Sequence, residues 1–171
     1  MRKILSSIER EYRRYKGLAE AAFDQVTDAE LVEVPAPDGN SIAILVWHLS
    51  GNLKSRFTEF LTADGEKPWR DRESEFVVRS ISRADLQAKW EEGWAVLLAA
   101  LSGLDDEALG RRVVIRGEEL SVLEALHRSL GHASYHVGQV VLLARSFRGA
   151  TWRSLTIPRG QSAGYVPKKD R

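Results

Sequence analysis

The chain carries four histidines and no cysteine, so a metal bound by its side chains must sit on nitrogen and oxygen donors. His132 and His136 stand four residues apart, which on a helix stacks both imidazoles on one face and lets them reach one ion. His48 lies in the middle of AILVWHLSGNL, beside an apolar stripe, where a facing helix can supply a third nitrogen. His127 precedes His132 by five residues, about 140° around a helix, and is expected to point elsewhere. Three neutral imidazoles suit one divalent transition metal such as Zn, Ni, Fe or Mn and leave at least one position for water or substrate. Such a site keeps the full positive charge of the metal and favours an anionic guest. The spacing of His132 and His136 equally suits two histidines that only hydrogen-bond to neighbours, and a lone histidine such as His48 equally suits a satisfied core position.

Around this trio, Asn52 follows His48 by one turn, while Ser129 and Gln139 lie three residues from His132 and His136. All three are candidates to orient the imidazoles. Glu59, nearly three turns beyond His48, is the nearest candidate base on that face, with an ordinary solvated role as its alternative. In DGEKPWRDRESEF, Trp69 is read either as a wall of the site or as a locally buried ring. Arg70 or Arg72 would then meet an anionic substrate or pair locally.

Helices must position these residues. Ile4, Ile8, Tyr12, Tyr15, Leu18 and Ala22 recur every three or four positions, which predicts an amphipathic helix from about Met1 to Thr27. TDAELVEVPAPDGNS breaks it with two prolines and a turn cluster. Ser41 is the expected N-cap of a second helix that runs to about Thr62 and carries His48. Ser82 with Asp85 opens a third, reaching about Leu101, with Trp90, Trp94, Leu97 and Leu98 on its core face. GRRVVIRGEEL reads as a short hairpin turning at Gly117. Ser121 and Glu124 form a capping box that starts the last long helix. Four long helices without a large sheet predict an all-α four-helix bundle.

At 171 residues the chain suits one domain, residues 1–171, with a bundle over 1–146 and an irregular tail over 147–171. From Arg145 onward there are seven Lys or Arg against one acid, leaving 18 basic and 23 acidic residues before it. The tail is therefore read as a basic strap packing on an acidic body rather than as a nucleic-acid arm, since it holds no nucleic-acid motif. The charged start MRKILSSIEREYRRYKG is no secretory signal and no 18-residue apolar run exists, so a cytoplasmic protein that neither enters nor crosses a membrane is expected.

WHLSGN around His48 and HASYHVGQV around His132 and His136 resemble the DinB/YfiT-like superfamily. WHLSGNL, DGEKPWRDRESEF and SLTIPRGQS, at 47–53, 64–76 and 154–162, are most similar to an uncharacterised bacterial branch of it. The resemblance spans nearly the whole chain and implies a four-helix bundle with His48, His132 and His136 as metal ligands. It also implies a small-molecule substrate, since relatives include transferases that activate a low-molecular-weight thiol on the metal. A thiol S-transferase is thus the leading expectation, with a metal-dependent hydrolase using Glu59 or another nearby carboxylate and a non-catalytic metal- or ligand-binding protein as alternatives. Catalytic residues are left unassigned, and a homodimer is expected.

Overall fold

Ser41, Ser82 and Ser121 stand where local sequence starts helices, and each hydroxyl accepts a hydrogen bond from an amide three residues on: Ile44 at 3.2 Å, Asp85 at 3.1 Å and Glu124 at 3.2 Å. A cap of this kind contributes about 1 kcal/mol. The structure is a computed structural model and describes residues 2–166. In chain order it comprises α1 (Lys3–Phe23), α2 (Asp28–Val32), α3 (Ile42–Phe57), α4 (Arg83–Ser102), β1 (Arg112–Ile115), β2 (Glu118–Ser121) and α5 (Val122–Arg148), with short 3-10 turns between and after them. This is the expected all-α bundle with a hairpin before its last long helix. Among the described residues no helix is long and apolar enough to cross a membrane.

Two boundaries differ from the sequence reading. The first helix ends at Phe23 because Thr27 and Glu30 form a reciprocal capping box that opens the short α2. That T-x-x-E signal was present in the sequence. The helix carrying His48 ends at Phe57 rather than near Thr62, since Thr58 turns extended and Glu59 takes a left-handed φ of 50°. The reversal folds Phe60 back on Phe57, with ring centroids 4.9 Å apart, and delivers Gly65 to the hairpin. There the Gly65 amide donates to the Val114 carbonyl at 2.8 Å.

Helix α3 packs most extensively on α4, and α1 on α5. The α3–α4 approach is close because α4 has no side chain at Gly93: a Cβ there would lie 2.6 Å from Cα of Ser50. Between the pairs sit fully buried aromatics, with Phe23 edge-on to Trp90 at 5.4 Å and Tyr12 edge-on to Trp94 at 6.2 Å. The Tyr12 hydroxyl donates to the Leu126 carbonyl of α5 at 2.9 Å, tying α1 to the helix that carries His132 and His136.

The hairpin turns at Arg116 and Gly117, with φ of 55° and 75°. Two successive positive φ values match the twist of antiparallel strands. A non-glycine residue is tolerated at Arg116 because the Asp64 carboxylate accepts both turn amides, at 2.8 Å each. Val113 and Ile115 face inward, as their alternation implies. In the tail, the Gln25 side chain accepts from the Arg153 amide at 2.8 Å and donates to its carbonyl at 3.1 Å, which straps residues 152–155 against the end of α1. Lys168, Lys169 and Arg171, three of the basic residues of the expected strap, lie outside the described residues.

Close packing at Gly93 and open space around Gly131 predict opposite responses to alanine. Gly93→Ala should destabilise the fold by about 1–3 kcal/mol through helix displacement. Gly131→Ala, mid-helix and unobstructed, should stabilise it by about 0.5–1 kcal/mol. Urea unfolding of both variants checks this; equal midpoints would refute the close α3–α4 contact.

Candidate metal centre

Helix α3 presents His48 in its buried face because Ile44, Leu45, Leu49 and Leu53 are drawn into the core around it. Helix α5 presents His132 and His136 one turn apart, flanked by buried Ala133, Val137 and Val140. The crossing of the two helices brings all three rings together, with centroids 4.6 Å (His132–His136), 4.8 Å (His48–His136) and 5.1 Å (His48–His132) apart. One donor nitrogen from each lies within 4.8 Å of the other two. His127 is exposed on another face of α5 and takes no part.

Hydrogen bonds behind two of the rings decide which nitrogens face inward. His48 Nδ1 meets Glu75 Oε2 at 2.9 Å, and since a carboxylate only accepts, Nδ1 carries the proton and Nε2 keeps its lone pair. His136 Nδ1 meets Gln139 Oε1 at 3.1 Å and is fixed in the same sense. The Nε2 atoms of His48 and His132 are 3.1 Å apart. Two imidazole nitrogens bound to one ion at 2.0–2.1 Å stand about 2.9–3.4 Å apart, so this separation suits a shared cation as well as an N–H···N hydrogen bond between the two rings. His132 Nδ1 is buried and has no hydrogen-bond partner among the described residues.

Glu75 was not anticipated from sequence, although it is the best-anchored group at the site. Its Oε1 and Oε2 accept from Arg70 Nε at 2.8 Å and Arg70 Nη2 at 2.9 Å, and its side chain is only 7% exposed. Burial works to raise its pKa, but hydrogen bonds from His48 and Arg70 outweigh this and the net direction is down. The carboxylate fits against α3 only because residue 51 is glycine: a Cβ there would lie 2.0 Å from Glu75 Oε1. WHLSGN and RESEF are thus complementary halves of one contact. No periodicity in a polar loop marks which of its acids will be buried, so the sequence held no signal for Glu75.

The pKa directions follow from the same burial. Desolvation, then the charges of His136 and His48, then Arg70 and Arg56, push His132 down to about 3. His136 is lowered too, by burial first, with Gln139 offsetting part and His48 adding to the shift. Both rings are therefore held neutral near pH 7, the form that can donate to a metal.

The three histidines open onto a cavity of about 410 Å³. Phe57, Phe60, Phe76 and Ile115 give it apolar walls, Asn52 and Ser129 add polar groups, and Arg56, Arg72, Arg116 and Arg128 line it as well. Phe76 lies over the His48 ring at 4.8 Å, and Arg72 lies over Phe76 at 4.9 Å. Several sequence assignments shift accordingly. Arg70 is spent on Glu75 and only Arg72 reaches the cavity. Trp69 is neither wall nor core: it is 54% exposed, absent from the lining, and 5.9 Å from the Lys54 ammonium. Glu59 is exposed at the reversal after α3 and does not line the cavity either.

A family model described as "Protein of unknown function (DUF1572)" matches residues 1–161, so the chain belongs to that family. Among solved structures, the fold is similar to one described as the conserved protein of a locus from Enterococcus faecalis, with a TM-score of 0.65 and 20% identity. The likeness covers 85% of this chain and 96% of that one, and at this identity it shows a shared fold alone. No curated protein matches the chain.

A histidine held neutral in the fold makes stability depend on pH. Below its ordinary pKa of about 6.5 the unfolded chain takes up a proton at His132 that the folded chain refuses until pH about 3. The metal-free protein should therefore lose stability progressively as pH falls from about 6.5 towards 3, and His132 contributes no pH dependence above that window. Comparing urea midpoints of wild type and His132→Asn across this range checks it: the wild-type decline should be steeper, and parallel curves would show that the imidazole is not held neutral.

Proposed function

We propose that this DUF1572 member is a metal-dependent enzyme of the DinB-like kind, which transfers a small thiol to an electrophile with His48, His132 and His136 holding one divalent transition metal. The observation that carries this reading is a set of three imidazoles on the wall of a cavity that, among the described residues, no carboxylate lines, in a chain without cysteine. Three nitrogen donors suit Zn(II), Ni(II), Fe(II) or Mn(II) and leave coordination room on the cavity side. When bound, the metal supplies Lewis acidity that favours the ionised form of a coordinated thiol near neutral pH.

The protein's own part is positional. Glu75 and Gln139 fix the tautomers of His48 and His136, and orientation of this sort sustains metal affinity. Phe57, Phe60 and Phe76 exclude water from one side of the guest, while Asn52 and Ser129 offer hydrogen bonds to it. In the transfer the substrate's sulfur forms a bond to carbon, the leaving group departs with its electron pair, and the thiol proton passes to solvent. A hydrolytic reaction is disfavoured because it needs a base within reach of the attacking water. Glu59 stands outside the cavity and Glu75 is committed behind His48. A purely storage role is disfavoured because saturated, closed coordination characterises structural sites. We place the protein in the cytoplasm, where thiols are kept reduced, and read its working unit as a homodimer. Light scattering at twice 19.2 kDa would support the dimer and the monomer mass would contradict it.

Purified protein loaded with each candidate metal and offered glutathione, bacillithiol or mycothiol with a chlorinated dinitrobenzene should form the thioether and release chloride. Chelation should abolish the reaction. No metal-dependent product with any of the three thiols would remove this reading. His132→Ala and His136→Ala should each lose metal binding by calorimetry yet keep a helical circular-dichroism spectrum, whereas His127→Ala should do neither. Glu75→Gln should weaken metal binding by about 10- to 100-fold, because its amide can still accept from His48 but no longer carries the charge. Unchanged affinity would mean that the carboxylate does not tune the site.

A further inference from the structure

Four guanidinium groups, from Arg56 on α3, Arg72 before the 3-10 turn, Arg116 in the hairpin turn and Arg128 on α5, share the lining of the cavity that holds the histidines. Their carboxylate partners are fewer and lie elsewhere. Glu66 serves both Arg56, at 3.2 Å, and Arg116, at 2.6 Å, so one acid answers two cations. Arg72 pairs with Glu73 at 2.9 Å and Arg128 with Glu118 at 2.8 Å, but those acids are 84% and 60% exposed and face solvent. Pairs of that kind are weak and easily exchanged. None of the three acids lines the cavity, so its wall holds a surplus of positive charge. The Arg56 pKa is lowered, by burial first; Glu66 offsets part of that, and Arg70 and Arg116 add a smaller lowering.

The same cavity has an apolar side. Phe57 and Phe60 are almost wholly buried beneath it and Phe76 covers His48. A volume of about 410 Å³ is in the size class that encloses a small organic molecule. We propose that the cavity binds an amphipathic organic anion, its carboxylate or phosphate group held by Arg72, Arg116 and Arg128 and its aryl or alkyl body lying against Phe57, Phe60 and Phe76. Arg56, hydrogen-bonded to the Gly65 carbonyl and to Glu66, sets the positive field without having to move. As a statement about substrate this rests on the functional reading above, since the anion is then the thiol or its acceptor. As a statement about binding it depends on the cavity alone.

Calorimetric titration of chelator-treated and Zn-loaded protein with 4-phenylbutyrate, phenyl phosphate and the uncharged 4-phenylbutanamide tests it. Hydrogen bonds to a charged partner are strong enough that the amide should bind at least about tenfold more weakly than the better anion, with or without zinc. Anion affinity should also fall as salt rises. The tighter of the two anions identifies the headgroup. Arg116→Gln with Arg128→Gln should reduce anion affinity by about tenfold or more and leave amide affinity unchanged; Arg72→Gln alone should do so to a smaller degree and serves if the double variant does not fold. An amide that binds as well as the anions, arginine variants without effect, or anion binding only in the presence of zinc would overturn the proposal. Anion binding by a protein that never retains a metal would remove the proposed reaction and leave this site standing. Metal-dependent thiol transfer with no preference for anions would do the reverse.

Discussion

The buried Glu75 carboxylate, held by Arg70 through two hydrogen bonds and by the His48 imidazole through a third, is the contact from which the geometry of the site follows. All three side chains are at most 7% exposed. Taking such charges out of water costs several kcal/mol per ion and is only roughly repaid by their attraction, so an interaction of this type is weak evidence for stability. Its value here is positional. The carboxylate, steadied by Arg70 on both oxygens, accepts from His48 Nδ1 and so fixes that ring's tautomer, which leaves Nε2 free to face His132 and His136. The glycine at position 51 exists in the same economy of space, since any Cβ would occupy the place of Oε1.

That contact can be rigid because the bundle around it does not depend on it. Helices α3 and α4 close on each other at Ser50 and Gly93, two residues from His48 and one residue from Gly51, so the segment that presents His48 has little room to shift. The Tyr12 hydroxyl anchors α1 to α5 at Leu126, a turn and a half before His132, and burial pushes its phenol pKa up. The apolar stripes of four long helices supply the driving force for folding. The histidines are guests in that core, and the lowered pKa values of His132 and His136 are what burial there imposes on them.

The mouth of the cavity is built by a different device. Asp64, held in the loop after α3, accepts the two amides of the hairpin turn, and Gly65 bonds to β1, so a polar loop and a two-stranded ribbon become one unit. This brings Arg116 beside Arg56 and makes both compete for Glu66. Positive charge at the mouth is then a product of packing rather than of net composition, which is close to neutral at +1.

What the sequence alone determined is what local interactions encode. Serine caps at Ser41, Ser82 and Ser121, the hairpin alternation of Val113 and Ile115, and the four-residue spacing of His132 and His136 all act within one turn of chain, and each was readable there. The capping box of Thr27 and Glu30 is equally local. Nothing within a turn of His48 indicates Glu75, which lies 27 residues away in a loop of alternating charges. The early end of α3 is likewise decided by the hairpin it must reach, through Gly65 and Val114. The convergence of His48 on the α5 pair across 84 residues, the commitment of Arg70 to Glu75, the placing of Trp69 and Glu59 outside the cavity, and the collection of four arginines around three phenylalanines arise only when the helices cross, because they depend on distances that no periodicity along the chain can specify.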